Sequence, residues 1–216
     1  MDRPNIVKII CHDIGKHLGC YGVKTVNTNS IDSLAKGGIL FKNAFATSPG
    51  CSPSRAAIAT GTYPHNTGVL GLAHAHFGWS LDKKIKHIAK YFSSNDYNSI
   101  LFGLQHVTYH DEILGFNKIF PERPADHVIK NIEDNIDTKL FEKPFYAEVN
   151  FFEPHRPFDY GGVKPFRSKG VFIPKYIPNN LNIKKEFAAM QGAIKKMDES
   201  VGKIINLLKK KKLYEN

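Results

Sequence analysis

Short apolar runs alternate along this chain with segments that carry helix signals. The apolar runs are bounded by turn residues, which is typical of buried strands. The segments between them contain capping residues, runs of small residues or amphipathic patterns, which predict helices. The predicted strands cover residues 6–11, 39–45, 99–104 and 145–152. The predicted helices cover residues 30–36, 52–60, 81–92 and 126–136, with Ser80 and Asp126 as N-caps of the last two.

The clearest predicted element is a long helix near the carboxyl end of the chain. Its apolar residues recur at alternating spacings of three and four, which places them on one helix face. The charges beside this face are not arranged in complementary sign, so we expect the helix to pack over a sheet rather than in a coiled coil. The apolar face consists of Phe187, Met190, Ile194, Met197, Val201, Ile204 and Leu208.

Strands that alternate with helices predict an α/β sandwich, a central mixed sheet flanked by helices. The 216 residues suffice for one domain over residues 1–216, which would bury roughly 70% of the unfolded surface. A hydrophobic fraction of 42% argues against a disordered chain. Residues 159–178 are rich in glycine, proline and aromatics, and are predicted to form an irregular surface or pocket loop.

Composition narrows the possible partners and compartments. The formal charge of +10 would attract a sulfated glycan or nucleic acid, but the lysines are mostly dispersed, which favours a solvated surface. We therefore expect neither nucleic acid nor a membrane as a partner. Three cysteines provide no disulfide framework. No leader is evident at the amino end, which predicts a cytoplasmic chain, or a periplasmic or secreted one if a leader lies upstream.

The most informative local feature is the segment around Cys51. This cysteine follows a Ser-Pro-Gly turn and opens a run of small residues, so its sulfur is predicted to lie at a helix N-terminus. Free amides and the helix dipole there favour an anion or an activated thiol. Arg55 lies four residues later, on the same helix face. The combination suits a tetrahedral oxyanion such as sulfate or phosphate.

The segment from Cys51 to Gly61 resembles the signature of the type I sulfatase family. Four other segments resemble stretches of that family in the same order, so the resemblance spans essentially the whole chain. It implies an alkaline-phosphatase-like sandwich, of which this chain is the N-terminal part. The His-Asp opening and the later Phe-Phe-Glu-Pro-His-Arg-Pro stretch resemble heparan N-sulfatase-like members most closely. The four segments are residues 5–15, 33–45, 61–68 and 151–158.

The resemblance implies that Cys51 is oxidised to formylglycine by a dedicated maturing enzyme. One hydroxyl of the hydrated aldehyde would attack sulfur and form a covalent sulfate ester. Elimination from the other hydroxyl would release sulfate and restore the aldehyde. Arg55 would hold the diol and offset charge, since a guanidinium stays protonated.

The resemblance also implies a divalent metal, most simply Ca²⁺, at the end of the first strand. Its predicted ligands are Asp13, His12 and the group derived from Cys51. His12 stands where the family usually has an aspartate. Because calcium prefers oxygen donors, this histidine either changes the coordination or contacts sulfate instead.

Three further histidines are candidates by their flanking residues. His106 matches a family histidine that donates to the nucleophile or leaving oxygen, although Leu104 replaces the family's lysine there. His155 is the better candidate for sulfate contact or for protonation of the leaving group. His74 is a candidate lining residue of the substrate pocket, whereas His65 is expected to be an ordinary loop residue.

Members of the family are considerably longer than this chain and carry the second half of the metal site after the long helix. The chain is therefore expected to be a sulfuric ester or N-sulfate hydrolase module that is inactive or weak alone. Its substrate would be a sulfated small molecule or glycan. Two alternatives stay open: a phosphodiesterase or phosphonate hydrolase of the same fold, and a non-catalytic domain that binds anionic glycans.

Overall fold

A four-stranded parallel sheet forms the centre of the molecule. The computed structural model describes residues 3–74, 76 and 78–215. In spatial order the strands are β1, β4, β2 and β3, and every pair within this part of the chain is parallel. Parallel strands need crossover connections, which here contain the helices, so the α/β class is confirmed. The strands are β1 Ile6–Ile10, β2 Asn98–Gly103, β3 Lys118–Phe120 and β4 Phe145–Asn150.

Helices cover both faces of this sheet. The long helix α6 (Leu181–Lys210), together with α1 (Asn29–Gly37) and α5 (Ala125–Asn135), lies on one face. The other face carries α2 (Cys51–Thr60), the short α3 (Pro64–Thr67) and α4 (Ile88–Ser93). Short 3₁₀ turns occupy residues 19–21, 111–113, 139–141 and 160–162. None of these helices combines the length and apolar content that a bilayer crossing requires.

The apolar face of α6 packs as its spacing predicted. Met190, Ile194 and Met197 are buried in the main core, and Phe187 packs against that core from its edge. The alternate residues of β2 and β4 complete it, because successive side chains of a strand point to opposite faces. The strand residues that join this core are Ile100, Phe102, Phe145, Ala147 and Val149.

The opposite face of β4 carries a buried polar network. Glu148 forms an ion pair of 2.6 Å with Lys8, its register partner on β1. It also accepts hydrogen bonds from the Tyr146 hydroxyl and the Asn150 amide. Burial alone would raise the pKa of Glu148, but the charge of Lys8 and these hydrogen bonds hold it below its ordinary value. The sheet therefore keeps a fixed negative charge beneath α2.

Two predicted elements are wrong or only partly right. Residues 39–45 form no strand, because none of the described strands lies beside them to complete a hydrogen-bond ladder. As a result Ile39 and Phe45 are 83% and 89% exposed. The helix expected over residues 81–92 forms only from Ile88. Before it, Leu81 donates its N–H to the Val107 carbonyl, a tertiary bond that replaces helical pairing.

The two predicted N-caps are also wrong. The Ser80 hydroxyl hydrogen-bonds to the Thr108 hydroxyl at 2.6 Å, and His87 caps α4 instead. Asp126 lies within the first turn of α5, where Lys196 of α6 pairs with it at 2.6 Å. An ion pair between two packed helices thus takes the carboxylate away from the capping position.

The irregular loop over residues 159–178 is anchored to α6 by one amide side chain. Gln191 is fully buried; its Nε2 donates to the carbonyls of Phe166 and Gly170, and its Oε1 accepts from the N–H of Phe172. These bonds satisfy loop groups that have no strand or helix partner. The next residue, Gly192, lets the loop backbone approach the helix closely.

Replacing Gly192 by alanine is expected to destabilise the fold. A Cβ at this position would lie 2.0 Å from the Lys164 carbonyl oxygen, so the loop would have to move. We expect a loss of about 1–3 kcal/mol in urea unfolding, as for other overpacked sites. Gly37→Ala is the matched control, because no atom lies within 4 Å of the added Cβ. Equal stabilities for the two variants would contradict the close approach.

Stability is expected to fall in acid partly through His87. Its Nδ1 accepts the Ala89 N–H at 3.1 Å, and burial lowers its pKa from 6.5 to about 4. The folded state thus favours neutral His87, so its contribution is present above pH 6.5 and is lost as the pH falls towards 4. The full effect is about 3 kcal/mol.

His87→Asn is expected to flatten this limb of the pH–stability curve, although it lowers stability at neutral pH. An asparagine oxygen still caps the helix but does not titrate. His110→Asn, at an exposed position, serves as the control. Parallel acid limbs in the wild type and His87→Asn would refute the assignment.

Candidate active site

The site lies at the carboxyl edge of the sheet. Ile10 of β1 and Gly103 of β2 both align with Asn150 of β4, so the three strands end at the same level. The residues that follow each strand are therefore brought together, as is general for ligand sites in parallel sheets. Two of the candidates, Asp13 and His106, have left-handed backbones with φ of 47° and 63°. Such conformations concentrate at functional sites.

Gly103 sets the path of the loop that carries His106. Its φ is +93°, and a Cβ there would lie 2.0 Å from the Asn150 carbonyl oxygen. Only glycine permits this approach. The chain consequently turns over the end of β4 and directs Leu104 and His106 towards the residues that follow β1.

Helix α2 begins at Cys51, one residue before the predicted start, so the sulfur lies at a helix N-terminus as expected. Gly50 is the N-cap in an extended conformation, and the Ser54 N–H donates to its carbonyl at 3.0 Å. Cys51 is half-buried. Burial raises the pKa of its thiol above the ordinary value, although the amides of Ser52 and Cys51 and the charge of Arg55 oppose the rise. This direction of the pKa disfavours an activated thiol at the unmodified residue, so the anion is the better supported of the two alternatives.

Arg55 places a buried guanidinium one turn behind Cys51. Arg55 is only 5% exposed, and its Nη1 donates to the Leu104 carbonyl at 3.3 Å. Its Nη2 is buried and donates to no described atom. Burial lowers the pKa of Arg55, while the charge of Glu148 acts in the opposite direction. The site thus contains a cation with an unmatched hydrogen-bond donor, an arrangement that an anion would satisfy.

Four histidines lie close to one another at this end of the sheet. The ring of His12 lies 5.2 Å from that of His155 and 5.9 Å from that of His106. The rings of His74 and His106 stack at 4.4 Å and share a hydrogen bond between ring nitrogens. The pKa of His12 is lowered to about 3, mainly by burial and next by the charge of Arg55. The pKa of His106 is lowered to about 4, mainly by burial and next by the charge of His74. Both rings are therefore neutral at physiological pH.

His12, Asp13 and His155 form a compact group of donor atoms. One ligand atom of each lies within 4.8 Å of the others, and His155 Nε2 is 3.8 Å from an Asp13 carboxylate oxygen. Cys51 is not a member of this group, so its role as a metal ligand stays a prediction. Calcium takes six to eight oxygen ligands. This group offers a single carboxylate and two imidazoles, which does not fit a calcium shell.

A cavity of about 420 Å³ opens onto the histidines. Asp13, Cys51 and Arg55 do not line it, although Asp13 directly follows the lining residue His12 in the chain. Arg123, after β3, lines the cavity and was missed from the sequence, since no motif marks it. The lining includes His12, His74, Leu104, His106, Arg123, Phe152 and His155.

Two other residues clarify the limits of the site. His65 stacks on Tyr63 at 5.9 Å and does not line the cavity. Glu153, which the sequence did not single out, accepts the Ala125 N–H at 2.9 Å and so ties the loop of His155 to the start of α5. Its second oxygen, Oε2, has no partner among the described residues.

Comparison with known proteins decides the family. A sequence model described as Sulfatase matches residues 4–216. The chain belongs to the sulfatase family. N-sulphoglucosamine sulphohydrolase of Homo sapiens is 25% identical over 96% of this sulfatase chain. The aligned part is 47% of that relative, so the chain spans about half the length of the curated protein that it matches.

Solved structures confirm the fold of this sulfatase chain. A protein described as a 2-O GAG sulfatase matches 99% of the chain with a TM-score of 0.74 at 21% identity, and 56% of its own length is covered. Phosphonate monoester hydrolase of Agrobacterium radiobacter matches 98% of the chain with a TM-score of 0.73 at 19% identity, over 60% of its length. The predicted alkaline-phosphatase-like sandwich is confirmed by these matches.

Sulfate is expected to stabilise the folded chain through Arg55. Only the folded state presents its guanidinium at the helix start, so sulfate at 100 times its Kd should add about 2.7 kcal/mol. Thermal unfolding in sulfate and in chloride of equal ionic strength measures the effect. Sulfate also stabilises folded proteins without a specific site, so Arg55→Met should reduce the difference between the salts and not remove it. Arg3→Met, at an exposed arginine paired with Asp96, should retain the full difference. An equal difference in Arg55→Met and Arg3→Met would contradict the anion site.

Proposed function

We propose that this chain is the nucleophile-bearing part of a sulfatase that cleaves sulfate esters or N-sulfates. The observation that carries the proposal is the buried guanidinium of Arg55, with Nη2 unmatched among the described residues, one helical turn behind Cys51. A structural arginine would normally use all of its buried donors. An arginine that awaits an oxyanion leaves some of them free.

Cys51 is proposed to act after conversion to formylglycine. The raised pKa of the thiol supports this, because an unmodified sulfur would be a poor nucleophile at neutral pH. A hydrated aldehyde at the same position would supply one hydroxyl to attack sulfur and a second to expel sulfate. Arg55 would bind the sulfate oxygens, and the amides at the start of α2 would add further donors.

We propose His155 and His106 as the histidines on the sulfate side of the site. His155 is more than one third exposed at its side chain and lines the cavity, so an incoming substrate reaches it. His106 is hydrogen-bonded to His74 and is neutral. A neutral imidazole is better suited to donate a hydrogen bond to a bound oxyanion than to act as an acid. His74 and Arg123 would contact the substrate beyond its sulfate group.

A sulfated glycan is the proposed substrate class. Relatives and structural neighbours are named for N-sulphoglucosamine and for 2-O GAG sulfates, which supports this choice. The excess of basic residues, +10, also favours a polyanionic substrate. Because the described donors near Asp13 include one carboxylate, we propose that the 216-residue chain turns over slowly by itself.

A phosphonate or phosphodiester hydrolase is the second candidate. The match to a phosphonate monoester hydrolase favours it, and a guanidinium binds tetrahedral sulfate and phosphate oxygens in a similar way. Turnover of an aryl sulfate, an aryl phosphonate and a phosphodiester by the matured chain would separate the two candidates. The sulfatase proposal requires that the aryl sulfate be preferred.

Maturation of Cys51 is the direct test of catalysis. After co-expression with a formylglycine-generating enzyme, peptide mass spectrometry should show an aldehyde at Cys51. The peptides of Cys11 and Cys20 provide internal controls, because neither cysteine is followed by proline at the second position. Slow sulfate release from an aryl sulfate should then depend on Cys51 and vanish in Cys51→Ala.

Two results would count against the proposal. An intact Cys51 thiol under all conditions would favour a non-catalytic domain that binds anionic glycans. Sulfate release that persists in Cys51→Ala would move the reaction to another residue.

A further inference from the structure

A hydrogen bond at Nδ1 orients the His155 ring and leaves its Nε2 available to bind a metal. Its Nδ1 lies 2.5 Å from the Arg156 carbonyl oxygen, which only accepts hydrogen bonds, so Nδ1 must carry the proton. The lone pair therefore resides on Nε2, the atom that faces Asp13 at 3.8 Å. A backbone carbonyl that sets the tautomer of a histidine is a usual support for a metal ligand.

His12 supplies a second nitrogen donor to the same group. The residue is only 3% exposed, and its buried Nε2 has no hydrogen-bond partner among the described residues. A buried polar atom without a partner destabilises the fold unless a ligand satisfies it. The rings of His155 and His106 lie beside His12, and the charge of Arg55 acts on it. None of these three groups is a carboxylate.

Asp13 contributes the only carboxylate of this group. It follows His12 directly, and its left-handed backbone (φ 47°) allows the two neighbouring side chains to converge. Two imidazoles and one carboxylate form a nitrogen-rich donor set. Zn²⁺ and Co²⁺ favour such sets, whereas Ca²⁺ and Mg²⁺ favour oxygen.

We propose that His12, Asp13 and His155 bind a divalent transition metal such as Zn²⁺ or Co²⁺ in preference to Ca²⁺. The positive charge of Arg55 opposes any cation at this position, and the negative charge of Asp13 offsets it. His12 and His155 also line the cavity, so water or a substrate oxygen could complete the coordination from there. This inference concerns the site of the proposed function, but it does not require that the chain hydrolyse any ester.

Metal binding by the 216-residue chain tests the proposal without an activity assay. After treatment with a chelator, the chain is titrated calorimetrically with Co²⁺, Zn²⁺ and Ca²⁺, and the visible absorption of bound Co²⁺ is recorded. Co²⁺ and Zn²⁺ should bind more than about 10-fold tighter than Ca²⁺, as expected for imidazole ligands. The Co²⁺ spectrum should show nitrogen and oxygen ligation without a thiolate band.

His12→Asp is the decisive variant, because it replaces nitrogen by oxygen at one ligand. It should weaken Co²⁺ binding by about 10-fold or more and strengthen Ca²⁺ binding. His155→Gln should weaken Co²⁺ binding similarly and provides the same readout if His12→Asp fails to fold by circular dichroism. His127→Gln is the matched control, because this exposed histidine also lies beside a carboxylate, Glu122, at 3.5 Å.

Several results would overturn the proposal. Ca²⁺ that binds as tightly as Co²⁺ to the wild type would do so, as would an equal loss in His127→Gln and His12→Asp. A thiolate band that disappears in Cys51→Ser would assign the metal to the cysteine instead. Failure of Cys51 to mature, by contrast, would leave this metal site unaffected and would count only against the hydrolase.

Discussion

The buried guanidinium of Arg55 is the constraint on which the site depends. A charge removed from water costs several kcal/mol unless its surroundings compensate. Part of the compensation comes from the sheet, where Lys8 holds Glu148 ionised beneath α2. The Leu104 carbonyl supplies one hydrogen bond. Nη2 remains without a hydrogen-bond partner among the described residues, which supports the proposed oxyanion position near Cys51.

The histidines add a second, electrically different part to this site. Burial and the nearby guanidinium hold His12 and His106 neutral, so they donate or ligate without adding positive charge. We therefore propose that anion binding falls mainly to Arg55 and cation binding to the group around Asp13. This separation follows from which groups the fold buries.

Local chemistry predicted some features well. The spacing of Cys51 and Arg55 follows from the helical repeat alone, and the apolar face of α6 from its three-four periodicity. Other predictions were wrong because tertiary hydrogen bonds outweighed the local preference of the sequence. Residues 39–45 have the composition of a strand but pair with none of the described strands. The carbonyl of Val107 takes the amide of Leu81 that a helix would have used. The meeting of His12 with His155 depends on strand register and on the loop anchored by Glu153, neither of which has a local signal.

The most direct measurement is a crystal structure of the chain grown with a heavy tetrahedral oxyanion, such as tungstate, whose position anomalous scattering reveals. The oxyanion should bind within hydrogen-bond distance of Arg55 Nη2 and of the first amides of α2, adjacent to Cys51. An ordered oxyanion elsewhere, with Nη2 turned to a protein acceptor, would contradict the assignment of this pocket.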